Sequence, residues 1–458
     1  MLSTKETSFT AVIVGGNGAG LSAASKIKRL RPSARVLVFE KGPHVSYANC
    51  GIPFWLAADI SENALILLSP DTLRQKRGID VFTRHEVMAI DRKAGAVQVR
   101  HCETLREFEV AYDRLLIATG ASPRLPSWAI PEAQNLFSLR DLTDGQALQQ
   151  ALTSDARKVA VIGGGYLGLE MAMVFRRRGH DVVLLERALR ILPTFHSKIS
   201  ERAEQYLRQQ DIAVITGAQP DAPTYDGPRL RSLRLLPDYR EIQADVFFLA
   251  AGITPNVDLA RASGLQLGPT GAIAVDDTLR ASDAQIFAAG DCIEVRHRLT
   301  GEPVWLPFGP AANKQGRIAG ANMAGERQRY AGALGTSAVT IGELEVARTG
   351  LTFSEAERHF GSVESVVVQA HDIAGYMPGE KRATVVLIFR RRDGRLLGAE
   401  MAGFHGIGKR IDVLATALQA GMDVRQLAEL DLSYSPTIAP VWDPILIAAN
   451  AAVKKLSK

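Results

Sequence analysis

With 458 residues, 46% of them hydrophobic and 22% charged, the chain is long enough to bury the cores of two or three domains. A formal net charge of +5, without a basic stripe interleaved with aromatics, argues against nucleic acid as a partner, and no stretch approaches the roughly 20 apolar residues of a membrane helix. Three cysteines in no metal-ligand or disulfide pattern, and no recognisable secretory leader, predict a cytoplasmic protein without a metal site.

The first predicted elements are a strand, a glycine-rich turn, an amphipathic helix and a second strand that ends at the acid Glu40. They span residues 9–42, FTAVIVGGNGAGLSAASKIKRLRPSARVLVFEKG. This order is that of a βαβ unit that binds dinucleotides, in which glycines permit the turn and the helix N-terminus binds a pyrophosphate. Gly15 and Gly20 occupy the first and last glycine positions, whereas Asn17 stands at the middle one.

A cysteine follows this unit in the stretch SYANCGIPF, residues 46–54. Because Pro53 suits the first turn of a helix, Cys50 is expected near a helix N-terminus, where the helix dipole favours a thiolate. The other two cysteines, Cys102 and Cys292, are expected to be small buried hydrophobic side chains.

A second βαβ unit is predicted over residues 157–188, RKVAVIGGGYLGLEMAMVFRRRGHDVVLLERA, and it ends at Glu186. Its glycines Gly163, Gly165 and Gly168 match G-x-G-x-x-G completely. The acid at the end of each unit can bind ribose hydroxyls. Two such units predict two dinucleotide sites.

Three further apolar strands are predicted to end in glycine turns, in LLIATGASP (115–123), VFFLAAGITPN (246–256) and IFAAGDC (286–292). The first two are typical of crossings between an outer domain and an inserted one. In the third, Asp291 follows Gly290 and can accept hydrogen bonds from a polyol such as the ribitol of FAD. Taken alone, Asp291 would be interpreted as a helix N-cap rather than a ligand, but beside two nucleotide units we predict a flavin ligand.

The order of these segments, together with GPAANKQGR (309–317), resembles the flavin-dependent pyridine nucleotide-disulfide reductases across essentially the whole chain. Within them it is most similar to the single-cysteine branch, which contains coenzyme A-disulfide reductase, NADH-dependent polysulfide or persulfide reductase, and NADH oxidase. The resemblance implies an α/β fold with two Rossmann-like domains, for FAD and NAD(P), and a C-terminal α+β dimerisation domain. The implied segments are 1–120 (FAD-binding domain, first part), 121–250 (NAD(P)-binding domain), 251–326 (FAD-binding domain, second part) and 327–458 (dimerisation domain).

The resemblance and the two glycine patterns together give the predicted cofactor-binding residues. They are Gly15, Asn17, Gly20, Glu40, Lys41, Asn49, Thr119, Gly120, Asp291, Gly163, Gly165, Gly168, Glu170, Glu186 and Gly252. The Glu186 carboxylate can bind both ribose hydroxyls of NADH and would repel a 2′-phosphate, although Arg187 and Arg190 soften that repulsion. NADH is therefore predicted over NADPH.

Cys50 is predicted to work without a second cysteine. Relatives of the glutathione reductase type carry two cysteines five positions apart, and Trp55 occupies that position here. A lone thiolate beside a flavin can pair with an external sulfur, so Cys50 is expected to rest as a mixed disulfide, a persulfide or a sulfenic acid.

Two tyrosines are predicted to assist it from across a dimer. Tyr376 in AGYMPG (374–379) and Tyr434 in DLSYSPTIAPVWDPI (431–445) match the tyrosines that reach the substrate sulfur in coenzyme A-disulfide reductases. A phenol can hydrogen-bond a departing thiolate or supply its proton, and the second segment has no counterpart of the His and Glu pair of glutathione reductases. The predicted catalytic residues are Cys50, Tyr434 and Tyr376.

A coenzyme A tail is predicted to lie along the first helix. Ser22, Lys26 and Arg29 share one helix face, and Lys314 matches a basic position that the partner chain contributes in this family. The complete set of predicted substrate-binding residues is Ser22, Lys26, Arg29, Ser46, Asn49 and Lys314.

The sequence thus predicts a homodimeric FAD enzyme in which NAD(P)H reduces coenzyme A disulfide, coenzyme A persulfide or a related small disulfide or polysulfide. One alternative is an NADH oxidase that uses oxygen through a cysteine sulfenic acid, although Gly18 stands where such oxidases often have a histidine. The other is a redox-sensing or electron-donor flavoprotein that acts on a protein partner, a role that does not need Cys50.

Overall fold

The structure is a computed structural model that describes residues 9–130, 132–152 and 157–457. The chain forms two compact units. The first consists of Met1–Trp55, Ile60–Ser122 and Ile253–Ala333, and the second of Leu56–Asp59, Pro123–Gly252 and Leu334–Lys458. Across the described residues, no helix combines the length and the apolar character that crossing a bilayer requires.

The N-terminal segment begins with the predicted strand, helix and strand. Its elements are β1 (Thr10–Val14), α1 (Gly18–Leu30), β2 (Arg35–Glu40), α2 (Ile52–Leu56), α3 (Pro70–Arg77), β3 (Asp80–Thr83), β4 (His85–Asp91), β5 (Ala96–His101), β6 (Glu107–Ala111) and β7 (Arg114–Ile117). Proline at the start of α3 fits its first turn, and Gly78 ends that helix in the left-handed conformation.

The next segment repeats the βαβ order after two short strands. Its elements are β8 (Ala121–Pro123), β9 (Leu136–Phe137), α4 (Leu142–Ala151), β10 (Lys158–Ile162), α5 (Tyr166–Arg177), β11 (Asp181–Glu186), α6 (Ser197–Gln209), β12 (Ala213–Thr216), β13 (Gln219–Asp226), β14 (Arg229–Leu236), β15 (Glu241–Gln243) and β16 (Val246–Leu249). Asp141 and Asp144 form a capping box that fixes the start of α4.

The remaining chain first returns to the first unit and then forms a mixed C-terminal segment. The returning elements are β17 (Ile253–Pro255), α7 (Asp258–Ala262), β18 (Ile286–Ala288), β19 (Val295–Arg296), β20 (Pro303–Val304) and α8 (Gly309–Met323). The C-terminal elements are β21 (Ser337–Ile341), β22 (Leu344–Gly350), α9 (Phe353–Phe360), β23 (Val363–His371), β24 (Arg382–Arg390), β25 (Leu396–Gly403), α10 (Ile407–Ala420), α11 (Val424–Ala428) and α12 (Pro444–Leu456).

The first unit is built on a parallel sheet of five strands in the order β18-β7-β1-β2-β3. Its central strand β1 is apolar because it is covered on both faces, and Ile13 lies between Val38 of β2 and Leu116 of β7. Strand β18 joins this sheet from a distant part of the chain. The sheet therefore draws its strands from both segments predicted to form the FAD domain.

Helices α1 and α8 of the first unit pack with their backbones in close approach. A Cβ atom on Gly316 would lie 2.1 Å from the Ala19 carbonyl oxygen, and one on Gly320 would lie 2.5 Å from that of Ala23. Only glycine fits at these two positions. The two glycines therefore allow α8 to pack directly on α1, the helix that follows the first glycine turn.

Besides the three-stranded antiparallel sheet β13-β14-β15, the second unit contains two five-stranded sheets of different kinds. One is parallel, in the order β12-β11-β10-β16-β9, with Phe247 and Phe248 fully buried on β16. The other is antiparallel, in the order β21-β22-β25-β24-β23, and α10 and α12 pack on it. The predicted α/β class, with two Rossmann-like units and an α+β C-terminal part, is confirmed. The division into four segments stays a prediction.

Candidate active site

The first glycine turn has the shape that a pyrophosphate requires. Gly15 has φ +114°, and a Cβ atom there would lie 2.2 Å from the Ala118 carbonyl oxygen. A Cβ atom on Gly20 would lie 1.9 Å from the Gly15 carbonyl oxygen, so the helix approaches the turn as closely as the fingerprint predicts. The Asn17 side chain makes no capping bond, which leaves the N-terminus of α1 without a side-chain cap. These residues fit a dinucleotide such as FAD.

The second turn repeats this geometry closely. Gly163 also has φ +114°, and its Cβ atom would lie 2.3 Å from the Ala250 carbonyl oxygen. A Cβ atom on Gly168 would lie 1.9 Å from the Gly163 carbonyl oxygen. Gly165 caps α5 without a side chain and has open space around it. The two βαβ units therefore have equivalent glycine turns, one in each compact unit, and both turns stay predicted nucleotide sites.

The acids that end the two units also hold the glycine turns together. The two oxygens of Glu40 accept hydrogen bonds from the backbone N–H groups of Gly16 (2.8 Å) and Gly42 (2.8 Å). Those of Glu186 accept from Gly164 (2.7 Å) and Ala188 (2.7 Å). Each carboxylate is thereby held in a fixed orientation and keeps further lone pairs, as its predicted role toward ribose hydroxyls requires.

The cysteine loop is tied to the first glycine turn at two points. The Asn17 Nδ2 atom donates to Asn49 Oδ1 at 2.7 Å, and the Ser46 N–H donates to the Gly16 carbonyl at 3.0 Å. Asn49 directly precedes Cys50. Since the equivalent of Asn17 in the second turn, Gly165, has open space around it, a side chain fits at this position. Asn17 is thus a tether between the turn and the cysteine loop.

Cys50 is exposed and lies in a 3₁₀ turn (Asn49–Gly51) that leads directly into α2. Cys292 is fully buried as predicted, and its thiol donates to the carbonyls of Ile117 (3.6 Å) and Ala289 (3.4 Å). Burial raises the pKa of the Cys292 thiol. The expectation for Cys102 was wrong, because this residue is exposed in the turn between β5 and β6 rather than buried in a strand.

The crossing strands of the first unit are joined by one asparagine that sequence reasoning missed. Asn256 Nδ2 donates to the Thr119 carbonyl (2.8 Å), and Thr119 Oγ1 donates to the Asn256 carbonyl (2.7 Å). The Asn256 N–H also donates to the carbonyl of Gly120, whose φ is +70°. Asn256 ends the segment GITPN (252–256), which follows a strand that ends in a glycine turn. A polar side chain at that place was the feature of the sequence that could have indicated this contact.

Asp291 lies in a turn after β18, and no helix begins there; the next described helix, α8, begins at Gly309. The alternative role as a helix cap is thereby excluded. The preceding Gly290 has φ +88°, and its N–H donates to Gln315 Oε1 at 2.8 Å. Gln315 is 2% exposed and was not predicted. It fixes the turn that presents Asp291, which stays a predicted flavin ligand.

The other predicted cofactor residues are Lys41 in the first unit and Glu170 and Gly252 in the second. Lys41 follows the acid Glu40 and is exposed, and its carbonyl accepts from the Cys102 thiol at 3.7 Å. Gly252 has φ +99°, and its carbonyl accepts from the Arg124 N–H at 2.9 Å. Glu170 lies on α5, where burial raises the pKa of its carboxyl to about 7. Their roles toward a cofactor stay predictions.

The two predicted tyrosines meet in the second unit. Their hydroxyl oxygens are 3.0 Å apart, although Tyr376 and Tyr434 are 58 positions apart in the sequence. Both side chains are largely exposed, at 72% and 48%. The hydrogen bond to Tyr434 raises the pKa of Tyr376, because the shared proton stabilises its neutral phenol. The two phenols therefore form one hydrogen-bonded pair.

Two histidine–carboxylate pairs lie beside the segment between β23 and β24 that carries Tyr376, and neither pair was predicted. His371 Nδ1 is 2.6 Å from Glu380 Oε2, and His405 Nδ1 is 2.8 Å from Asp372 Oδ2. The Asp372 side chain is fully buried. Each pair joins residues too far apart in sequence to be recognised as a motif.

Of the predicted coenzyme A residues, Ser22, Lys26, Arg29 and Lys314 lie on α1 and α8, whereas Ser46 and Asn49 lie in the cysteine loop. Ser22 Oγ donates to Asn313 Oδ1 at 2.8 Å, so the residue next to Lys314 lies beside α1 of the same chain. Lys26 Nζ is 3.8 Å from Glu326 and largely buried, whereas Arg29 and Lys314 are exposed. The binding of coenzyme A by these residues, and the use of Lys314 by a second subunit, stay predictions.

Two family models together match nearly the whole chain. The model of the pyridine nucleotide-disulphide oxidoreductases matches residues 9–324, and that of their dimerisation domain matches residues 336–444. Both nucleotide turns lie in the first match and both tyrosines in the second.

Similar proteins cover the chain end to end. The NAD(P)H sulfur oxidoreductase (CoA-dependent) of Pyrococcus furiosus is 36% identical over 441 residues, which cover 96% of this chain and 98% of that protein. An NADH oxidase of Methanocaldococcus jannaschii is 32% identical over 452 residues, covering 98% and 99%. The structure of an NAD-dependent persulfide reductase from A. fulgidus superimposes with a TM-score of 0.94 at 33% identity, covering 98% of this chain and 84% of that one. With both domain models, the glycine turns and these relatives in agreement, the chain belongs to the pyridine nucleotide-disulphide oxidoreductase family.

Proposed function

We propose that this protein is a homodimeric, FAD-dependent NAD(P)H:disulfide oxidoreductase. Its substrates are coenzyme A disulfide, coenzyme A persulfide or related small disulfides and polysulfides. The observation that carries the proposal is the exposed Cys50, whose loop is bonded to the first glycine turn through Asn49 and Ser46. The test is thiol release from coenzyme A disulfide or persulfide at the expense of NADH, compared with oxygen consumption by the same sample.

The reaction needs only one cysteine. Bound FAD would supply the two electrons that it takes from NAD(P)H. The Cys50 thiolate attacks the external disulfide, bonds to one sulfur and releases the other half as a thiolate, which takes up a proton. Cleavage of the mixed disulfide by the two electrons returns Cys50 to the thiolate and releases the second thiol. One NAD(P)H and one proton thereby convert one disulfide into two thiols.

The tyrosine pair is the proposed proton source. In the dimer that the dimerisation domain implies, Tyr376 and Tyr434 of one subunit serve Cys50 of the other. Their exposure supports this role, because a phenol that protonates a leaving thiolate has to face the substrate. We further propose that Ser22, Arg29 and Lys314 contact the phosphates of coenzyme A.

NADH is the proposed electron donor, and Glu186→Ala tests it. We expect native protein to prefer NADH in kcat/KM, and the variant to reduce that preference by about 10- to 100-fold. Each hydrogen bond to a charged group contributes about 1.5–3 kcal/mol, and the loss of the carboxylate removes both the ribose contacts and the repulsion of a 2′-phosphate. Steady-state kinetics with both nucleotides measure this. A native kcat/KM that is higher for NADPH would contradict the assignment.

The Asn17 tether predicts a separate effect. Asn17→Gly completes the glycine fingerprint but removes the 2.7 Å bond to Asn49. We expect FAD content to stay near native, while disulfide turnover per flavin falls about 2- to 10-fold, since a neutral hydrogen bond contributes about 0.5–1.5 kcal/mol. In a double-mutant cycle with Asn49→Ala, the two losses should not add. Loss of flavin with unchanged turnover per flavin would show instead that Asn17 serves the cofactor.

An NADH oxidase is the second candidate, because the relative from M. jannaschii carries that name. In that case Cys50 would cycle through a sulfenic acid and oxygen would be the acceptor. Gly18 begins α1 at the position where the oxidases of this branch often have a histidine, which favours the disulfide reductase. The ratio of oxygen consumed to thiol released distinguishes the two.

A further inference from the structure

The tyrosine pair is held between two loops of the second unit. Loop A, residues 372–381, joins β23 to β24 and carries Tyr376, and loop B, residues 429–443, joins α11 to α12 and carries Tyr434. A single hydrogen bond between exposed hydroxyls is too weak to order two loops by itself. One backbone bond also joins the loops, from the Ala374 N–H to the Pro436 carbonyl at 3.0 Å. Their alignment therefore depends on what lies beneath them.

The residue beneath both loops is Arg410 on α10, which is 8% exposed. Its Nη2 atom donates to the Asp372 carbonyl at the start of loop A (2.8 Å) and lies 3.4 Å from the Ile438 carbonyl of loop B. Its Nε atom donates to Asp443 Oδ2 at the end of loop B (2.8 Å). A single guanidinium thus bonds to both loops.

The groups that Arg410 holds are themselves fixed. Asp372 and Lys381 close the neck of loop A, because the Asp372 N–H donates to the Lys381 carbonyl (2.9 Å) and the Lys381 N–H donates to Asp372 Oδ1 (3.0 Å). Asp443 Oδ1 accepts from the Ile445 N–H (2.9 Å) and caps α12. Arg410 Nη1 also donates to the His405 carbonyl at 2.7 Å. The guanidinium therefore connects two rigid anchor points.

Arginine suits this place better than any other residue. Its planar guanidinium presents five N–H donors in a fixed fork, whereas the ammonium of lysine is a point charge on a flexible stem. Three of its four hydrogen-bond acceptors are backbone carbonyls, and the fourth is the Asp443 carboxylate. Arg410 therefore fixes the position of the loop backbones as well as neutralising Asp443. Salt-bridge formation alone would not require that arrangement.

We propose that Arg410 is a positioning residue for the reaction, which sets the two loops so that the hydroxyls of Tyr376 and Tyr434 meet and present one proton to the departing thiolate. This rests on the proposed function of the tyrosine pair. The step moves a proton from a phenol oxygen to the thiolate sulfur, and the phenolate regains a proton from water. No electrons are exchanged in it.

The test compares Arg410→Lys with Lys409→Ala, a control that removes an exposed side chain from the adjacent position of α10. The first readout is the titration of Tyr376, followed by NMR of holoenzyme labelled at tyrosine Cζ and assigned with Tyr376→Phe. Since the bond to Tyr434 raises the pKa of Tyr376, we expect Arg410→Lys to lower it toward the value found in Tyr434→Phe. Lys409→Ala should leave it native.

The second readout is kinetic. We expect kcat for disulfide reduction to fall about 10- to 100-fold in Arg410→Lys, with the rate of flavin reduction by NADH unchanged, because displacement of a catalytic group by about 1 Å has effects of this size. If Arg410→Lys does not fold, Asp443→Asn weakens the anchor of loop B and should produce the same two changes. Native titration of Tyr376 in a folded Arg410 variant would overturn the proposal.

Failure of the proposed function would look different. Tyr434→Phe would then leave disulfide turnover unchanged, while Arg410→Lys would still lower the pKa of Tyr376. That result supports the structural link between Arg410 and the pair and places the proton source elsewhere.

Discussion

Cys50→Ser is expected to abolish reduction of coenzyme A disulfide and persulfides, with a loss on the order of 10³-fold or more. A serine hydroxyl cannot form a bond to the external sulfur that two electrons then cleave. FAD should remain bound, because the Asn17–Asn49 and Ser46–Gly16 bonds do not involve the Cys50 side chain. Reduction of the flavin by NADH should therefore remain measurable in stopped-flow absorbance.

Two signatures should disappear together with this activity. Intact mass should show an adduct on native Cys50 that a reductant removes, and the freed thiolate beside oxidised flavin should give a long-wavelength absorbance band. The matched control is Cys102→Ser, which changes another exposed cysteine and should leave both signatures and the turnover native. A Cys50→Ser enzyme that reduces disulfides at the native rate would make the cysteine structural and the proposed function wrong.

The second large effect is expected for Tyr434→Phe. Removal of the hydroxyl takes away one member of the proton-donating pair, and general acid catalysis contributes about 10²- to 10⁴-fold, so disulfide turnover should fall by about 100-fold. Reduction of flavin by NADH should be nearly unchanged, since no thiolate leaves in that step. The loss should be largest for disulfides whose released thiols are most basic.

A mixed dimer tests whether the sites are shared between subunits. With Cys50→Ser on one chain and Tyr434→Phe on the other, one site has neither change if each cysteine uses the tyrosines of the opposite subunit. About half the native activity should then remain, whereas pairing within one subunit would leave both sites impaired. Native turnover in both Phe variants would reduce the tyrosines to packing residues.

The sequence predicts the nucleotide-binding units well because their signals are local. Each glycine position, the amphipathic helix and the terminal acid lie within about thirty consecutive residues, the usual length of such a unit. For the two acids the sequence predicted only the binding of ribose hydroxyls. In the structure, Glu40 and Glu186 also accept hydrogen bonds from the backbone of their own glycine turns. In the sequence, Asn17 is a departure from the glycine fingerprint. In the structure it donates a hydrogen bond to Asn49, the residue before Cys50.

The parts that could not be predicted depend on contacts between distant segments. Asn256 is hydrogen-bonded to Thr119, which lies 137 positions away in the sequence. Arg410 is hydrogen-bonded to Asp372 and Asp443, which lie 38 and 33 positions away. No periodicity or local motif records such contacts. The prediction for Cys102 was wrong for a related reason. The sequence suggested a strand there, but β5 ends at His101, and Cys102 begins the turn that exposes its thiol.

The glycine contact between α1 and α8 has a consequence for how the protein is made. The first glycine turn and its helix leave the ribosome early, but β18 and α8, which complete their sheet and cover the helix, follow only after the entire predicted NAD(P)-binding segment. At roughly 5–20 residues per second, synthesis of the intervening chain takes on the order of 15 to 60 seconds. During that interval the sheet around the second glycine turn can close by itself, whereas α1 still lacks the cover that α8 provides. We therefore expect the first glycine turn, the predicted flavin site, to be completed after the second one, once the chain extends through α8 to Met323.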